Sequence, residues 1–443
     1  KSGGTGSGIH ITVDGGKTWK KLTKENGIPE GELGKFGLAI ARSNPNVVYA
    51  LIESKKNALY RSDDGGVKWK KTTDKGIGDR PFYYFDLMVD PKNENRVYEI
   101  ATLISKSEDG GKNFQVIVPF SKVHSDYHAF WIHPENPDFI LFGNDGGLVI
   151  SRDKGQNWHF AENLPVGQFY HINVDNEIPF NVYGGMQDNG SWKGPSAVWR
   201  EGGIRTEHWE ELYFGDGFDV VPDPTNSRYG WAMSQGGNLG RYDLATGDTK
   251  FMKPVHPQGT TLRFNWNSGI AADPFDPKTI YYGSQFLHKS TNRGDSWELI
   301  SPDLTTNDTT RQKANISGGL TYDATFAENY CTIMTIAPSP VQKGVLWVGT
   351  DDGNIQLTTD GGKTWSNLIK NIKGVPPTTW VTQIQASKYN AGEAFVVSTD
   401  DEFKVLHRVA MGDASDRDTR ASIAVSGGNL FIRTAGKLYC VGK

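Results

Sequence analysis

The chain has 443 residues, a formal net charge of −4 and two cysteines, Cys331 and Cys440. So small a charge, with no basic run, argues against a nucleic-acid partner, and no stretch approaches the ~20 apolar residues of a membrane-crossing helix. With 52 Gly, 21 Pro, 13 Trp, 17 Tyr and 21 Phe, and no long helical periodicity, the composition points to an all-β protein.

Along the chain, one eight-residue signature recurs six times. It reads Thr12-Val-Asp14-Gly-Gly16-Lys-Thr-Trp19, Ser62-Asp-Asp64-Gly-Gly66-Val-Lys-Trp69 and Ser107-Glu-Asp109-Gly-Gly111-Lys-Asn-Phe114. The later copies are Ser151-Arg-Asp153-Lys-Gly155-Gln-Asn-Trp158, Ser290-Thr-Asn292-Arg-Gly294-Asp-Ser-Trp297 and Thr358-Thr-Asp360-Gly-Gly362-Lys-Thr-Trp365. Each part suits a tight strand-to-strand turn. The Asp carboxylate accepts turn amides, glycine takes positive φ, and the aromatic ring packs beneath the hairpin. This is a fold element, and by itself it says nothing about chemistry.

A second marker runs in phase. Apolar strands end in turns at Asn44-Pro45, Asp90-Pro91, His133-Pro134, Asp175-Asn176, Asp223-Pro224, Asp273-Pro274, Ser339-Pro340 and Ser387-Lys388, mostly 42 to 50 residues apart. That is the length of a four-stranded propeller blade. Two repeats lack the signature, and Gln187-Asp-Asn-Gly-Ser-Trp192 and Asp243-Leu-Ala-Thr-Gly-Asp248 read as its degenerate replacements. From Ser290 to Thr358 the interval stretches to 68 residues. The polar surplus, 301–328, is expected to be a surface insertion. Residues 8–23 supply only an outer half-blade. The terminal segment 405–443 reads as short strands that close the ring beside the N-terminal ones. The expectation is one closed β-propeller domain over 1–443, with about eight four-stranded antiparallel blades; seven and nine remain open.

The signature is the Asp box of β-propellers. With Arg80-Pro-Phe-Tyr-Tyr84, Gly143-Asn-Asp-Gly-Gly147, Ser301-Pro-Asp-Leu-Thr305 and Tyr330-Cys-Thr-Ile333, residues 1 to about 400 resemble the Asp-box (BNR-repeat) propellers of exported bacterial proteins. That group is related to the sortilin ectodomain and to xyloglucan-cleaving endoglucanases. The resemblance implies an exported protein and spans hydrolases, peptide receptors and assembly factors. The last 25 residues are more similar to a quinoprotein-type propeller repeat, from which no cofactor is carried over. The opening at Lys1, inside a repeat and without an initiator Met, reads as a processed or truncated product. Neither cysteine stands at metal-ligand or redox spacing. Two buried thiols are expected, with one long-range disulfide as the alternative.

In propellers the residue just ahead of each innermost strand faces the funnel. Counting back from the turns gives Gly34, Tyr83, Asp126, Gln168, Asp216, Trp266, Thr332 and Trp380. Rings beside carboxylates and an amide suit a glycan or a protein segment as ligand, and equally suit packing between blades with solvated acids. The candidate ligand-binding residues are Arg80, Tyr83, His124, His128, Gln168, Trp266 and Trp380. If the protein is a glycoside hydrolase, Asp126 and Asp216 are the catalytic pair, two blades apart. His124-Ser-Asp126-Tyr-His128 would put three metal ligands on one face of an extended strand, although a hydrogen-bonded polar patch is the plainer reading and no metal is assigned. The acidic turns 144–147 and 350–354 would be the places for a structural Ca²⁺, but turn formation already accounts for them. The Asp79-Arg-Pro81 sequence falls one residue short of a sialidase element. The preferred reading is an exported binding scaffold without turnover. The alternatives are an endoglucanase-like hydrolase and a structural subunit of an envelope or extracellular assembly.

Overall fold

The computed structural model describes residues 3–164, 166–317, 319–372, 375–376, 378–398, 424–426, 429–433 and 438–441. One domain was expected over the whole chain; two compact units form, Lys1–Thr399 and Asp400–Lys443.

The first unit is a β-propeller. Seven four-stranded antiparallel sheets follow one another, each with its strands side by side in chain order. Blade 1 comprises β3 (Phe36–Ile40), β4 (Val48–Ile52), β5 (Ala58–Ser62) and β6 (Lys70–Thr73). The others begin at β7 (Asp86–Asp90), β11 (Tyr127–Ile132), β15 (His171–Val174), β19 (Val220–Pro222), β23 (Ile270–Ala272) and β27 (Ile333–Pro338). Their outermost strands are β10 (Gln115–Val118), β14 (His159–Phe160), β18 (Glu210–Tyr213), β22 (Asp248–Phe251), β26 (Glu298–Leu299) and β30 (Ser366–Asn367). Two two-stranded sheets flank this series, β1 (His10–Ile11) with β2 (Lys20–Lys21), and β31 (Val381–Ala386) with β32 (Ala394–Ser398).

Blade 1 illustrates why the sequence folds this way. Its second strand, Val-Tyr-Ala-Leu-Ile, is buried throughout, because both faces of an inner strand meet neighbouring blades. The outermost strand, Lys-Lys-Thr-Thr, is polar and largely exposed, as an edge must be to resist pairing with another chain. Apolar residues from adjacent blades interdigitate into a chain of cores; one joins Tyr49, Leu51 and Leu59 of blade 1 to Phe85, Leu87 and Val97 of blade 2.

The repeated signature closes the third strand onto the fourth. In blade 1 the Asp64 carboxylate accepts the amides of Val67 (3.0 Å) and Lys68 (2.9 Å). Ser62 donates to the same carboxylate (2.7 Å) and accepts the amide of Gly66 (2.9 Å). The Trp69 indole donates to the Gly66 carbonyl (2.8 Å). Asn292 performs the same task with its amide oxygen, which accepts the Ser296 amide (2.9 Å). At Gly111, φ is 83°, which strains any side chain, and an added Cβ would stand 2.4 Å from the Leu59 methyl of the preceding blade, so a larger residue would have to displace it.

Of the two segments read as degenerate signatures, Asp243–Asp248 does join the third and fourth strands of its blade. Gln187–Asn189 does not. It connects β16 (Asn181–Met186) to β17 (Gly190–Pro195), the second and third strands, and therefore lies on the opposite rim.

Cys331 is a buried free thiol. No helix among the described residues is long and apolar enough to cross a membrane. In the second unit, β33 (Ala424–Ser426), β34 (Asn429–Arg433) and β35 (Leu438–Val441) form one antiparallel sheet. The ring-closing role expected of 405–443 falls mostly outside the described residues.

Candidate functional site

Consecutive antiparallel strands alternate direction, so the turns of a blade fall on two rims. First-to-second and third-to-fourth turns share one; second-to-third turns and the connections between blades share the other. All six signature turns occupy the first rim. The second rim is the mouth, and every residue expected there lies just ahead of its blade's first strand.

Four aspartates from three consecutive blades meet on this mouth. Asp126, Asp145 and Asp188 bring carboxylate oxygens within 4.8 Å of one another. Asp216 accepts the Asp188 backbone amide (2.9 Å) on one oxygen and the Trp266 indole (2.6 Å) on the other. The backbone ties these turns together: the Asn189 side chain donates to the Asp145 carbonyl (2.9 Å), and Asp145 N donates to the Asp126 carbonyl (3.2 Å). Burial pushes both Asp188 and Asp216 up to about 6; a side-chain hydrogen bond with Asp145 adds to the rise at Asp188, and one with Asp188 adds to it at Asp216. Asp126 and Asp188 carry positive φ, 66° and 60°, which costs strain that only a well-fixed turn sustains.

The positive φ at Asp126 overturns the premise behind the His124–Asp126–His128 set. The strand begins only at Tyr127, so the alternation that would align the three side chains is broken. His124 turns its Nε2 to the Asp188 carbonyl (3.0 Å), whereas His128 reaches the Asp145 carboxylate (3.1 Å). The His128 ring also packs on Tyr84, 5.0 Å between centroids. Burial, and then the hydrogen bond to Asp126, hold the Tyr84 phenol above its usual range. Arg80 lies over Tyr83 and Tyr84, with its guanidinium 4.8 and 5.6 Å from the ring centroids.

Asp126, Asp216, Trp266, Arg80, Tyr83, His124 and His128 therefore belong to one connected group. Gln168, exposed, and Trp380, half-buried, stand on the entries to β15 and β31, and no hydrogen bond joins either to the carboxylates among the described residues. The sequence singles out Asp145 only as part of the acidic turn 144–147, and neither Asp188 nor Tyr84 is among the candidate site residues. Asp145 and Asp188 lie on second-to-third turns, which the count back from the first strand does not sample. In the turn 350–354 both carboxylates accept protein donors. Asp351 accepts the Thr332 hydroxyl (2.7 Å) and amide (2.8 Å), and Asp352 accepts the Thr306 hydroxyl and amide, both at 2.7 Å.

The segment 301–328, expected as a surface insertion, is held across the mouth as a strap. At its root, Arg263 bonds Asp303 (2.8 Å), and Asn354 and Gln356 both donate to the Leu304 carbonyl (2.9 Å each). On the far side, Thr321 bonds Glu53 (3.3 Å) and Asn57 (3.1 Å), both on the mouth turn of blade 1. Asp323 takes a bidentate grip on Arg80, 3.1 Å at each nitrogen. Phe326 returns to blade 5, packing its ring over Gly236.

No protein-family model matches the chain. An oligoxyloglucan-reducing end-specific xyloglucanase of Emericella nidulans is 23% identical over 355 residues, covering 71% of this chain and 39% of that enzyme. The chain thus spans well under half the length of that relative. Among solved structures, the GH74 xyloglucanase of Xanthomonas campestris is 13% identical, with 74% of this chain and 45% of that one covered and a TM-score of 0.25. YCF48 bound to D1 peptide is 12% identical over 82% of this chain and 90% of that one, at a TM-score of 0.24. The chain, a β-propeller by its sheet topology, has a distant xyloglucanase relative.

Proposed function

We propose that this chain is the binding propeller of an exported protein, recognising a protein segment or a glycan at the strapped mouth without turning it over. The observation that carries this reading is the state of Asp216. It is 7% exposed, and both its carboxylate oxygens are occupied by protein donors. A general acid or base has to reach the scissile bond, and a group committed in this way orders the mouth instead. The strap supports the same conclusion, because its bonds to blades 1, 2 and 7 hold it over the mouth side, where an extended polysaccharide would have to lie.

A glycoside hydrolase using Asp126 and Asp216 is the second reading. The xyloglucanase relative and the Asp216 carboxyl held at about 6 favour it, since glycosidases keep one acid protonated near neutrality. Reducing-sugar release from a panel of polysaccharides, xyloglucan included, separates the two. A binding propeller releases none while retaining ligand on a glycan or peptide array. Turnover that disappears in both Asp126→Asn and Asp216→Asn would establish the hydrolase.

A further inference from the structure

Beside the aspartate group, blades 4 and 5 and the strap enclose an open groove of about 740 Å³. Three of its walls are phenyl rings from separate segments: Phe214 beyond β18, Phe251 at the end of β22, and Phe326 of the strap. Their side chains are 69%, 62% and 49% exposed, a costly arrangement for rings without an occupant. Tyr213 and Gln235 complete the floor, and Gln235 also accepts the Asp216 amide (2.9 Å), linking the groove to the carboxylate group. Glu211 is the only charged residue in the lining. Burial raises its carboxyl, and no ion pair among the described residues includes it. The neighbouring cation, Lys253, is turned away, with its ammonium on the Gly236 carbonyl (2.8 Å) and over the Phe264 ring.

Ring faces carry negative potential, and a carboxylate among them adds a full charge. Rings approaching from three segments surround an occupant, where a flat sugar face calls for one platform. We infer that the groove takes the basic side chain of an extended polypeptide, a lysine or arginine ringed by Phe214, Phe251 and Phe326 and paired with Glu211. The inference rests on the binding reading above and specifies its ligand.

The test is a random 12-residue peptide library displayed on phage and selected on the immobilised full chain. Selected peptides are resynthesised with each basic residue replaced by citrulline or norleucine, and affinities are measured by calorimetry. The expected result is a shared Lys or Arg whose neutral replacement weakens binding about tenfold or more, as loss of a desolvated cation contact does. Glu211→Gln and Phe251→Ala should weaken the parent peptides similarly, and Glu211→Gln should leave the neutralised peptides unchanged. Phe251→Leu, which keeps the apolar volume but removes the ring, guards against a folding artefact and should behave as Phe251→Ala does. Peptides that bind equally well when neutralised, or that ignore the groove variants, overturn the cation inference while the binding reading stands. If no peptide is selected and oligosaccharides bind instead, the inference falls; if they are also cleaved, the binding reading falls with it.

Discussion

At the scale of single residues, the mouth and the opposite rim respond to pH with opposite sign. Asp188 and Asp216 keep their protons to about pH 6, whereas their ordinary value is 3.8. Between about pH 4 and 6 the folded protein therefore binds more protons than the unfolded chain, and stability falls as pH rises through that window. In Asp188→Asn, whose side chain tolerates the positive φ, the fall in melting temperature across the window should be shallower than in wild type. On the other rim, Asp14, Asp109 and Asp360 are lowered to about 2, chiefly by hydrogen bonds from the side chain four residues on. Their contribution is complete above about pH 4 and is lost as pH falls towards 2. The buried Ser107 hydroxyl holds the Gly111 amide (2.9 Å) and donates to Asp109 (2.8 Å). Ser107→Ala should cost about 1–3 kcal/mol in denaturant unfolding, because a buried amide loses its acceptor. Asp126, Asp216 and Trp266 were legible in the sequence because the blade repeat numbers every first strand. Asp188 was not, since its Gln187-Asp-Asn-Gly turn imitates the rim signature, and only strand pairing assigns it to the mouth.

At the scale of elements, the strap has a length that the sequence disclosed and a course that it did not. A surplus between two signatures announces an insertion, but the partners Glu53, Asn57 and Arg80 lie more than two hundred positions earlier and leave no local trace. The Arg80–Asp323 pair is bidentate, and its aspartate is 9% exposed, so it should outlast an ordinary surface pair. Arg80→Ala should raise the rate of proteolytic nicking within 311–326 several-fold with little change in the global melting temperature, as expected when one anchor of a local unit is released. Equal nicking rates in variant and wild type would mean that the pair does not hold the strap. The half-blades at either end also have defined positions. The β1–β2 pair carries a third-to-fourth-strand signature and packs Ile9 and Leu22 on the core of blade 1. The β31–β32 pair carries a first-to-second-strand turn and packs on blade 7. Leu22→Ala should destabilise the propeller by about 2–4 kcal/mol, measured by urea unfolding, despite its place near the start of the chain.

At the scale of the whole propeller, fold and function are written on different loops. The six signature turns fasten one rim, while the acidic group, the aromatic groove and the strap all lie on the other. The separation is topological: each strand reverses its predecessor, so third-to-fourth hairpins, which carry the signature, and second-to-third hairpins, which carry Asp145 and Asp188, fall on opposite edges. Exchanging 187–189 or 144–147 should therefore alter what the protein holds while its far-edge fastenings stay intact, and a melting temperature close to wild type in such chimaeras would bear this out. The architecture thus allows new specificities to be tried on one side of the disc without disturbing the clasps that keep it assembled.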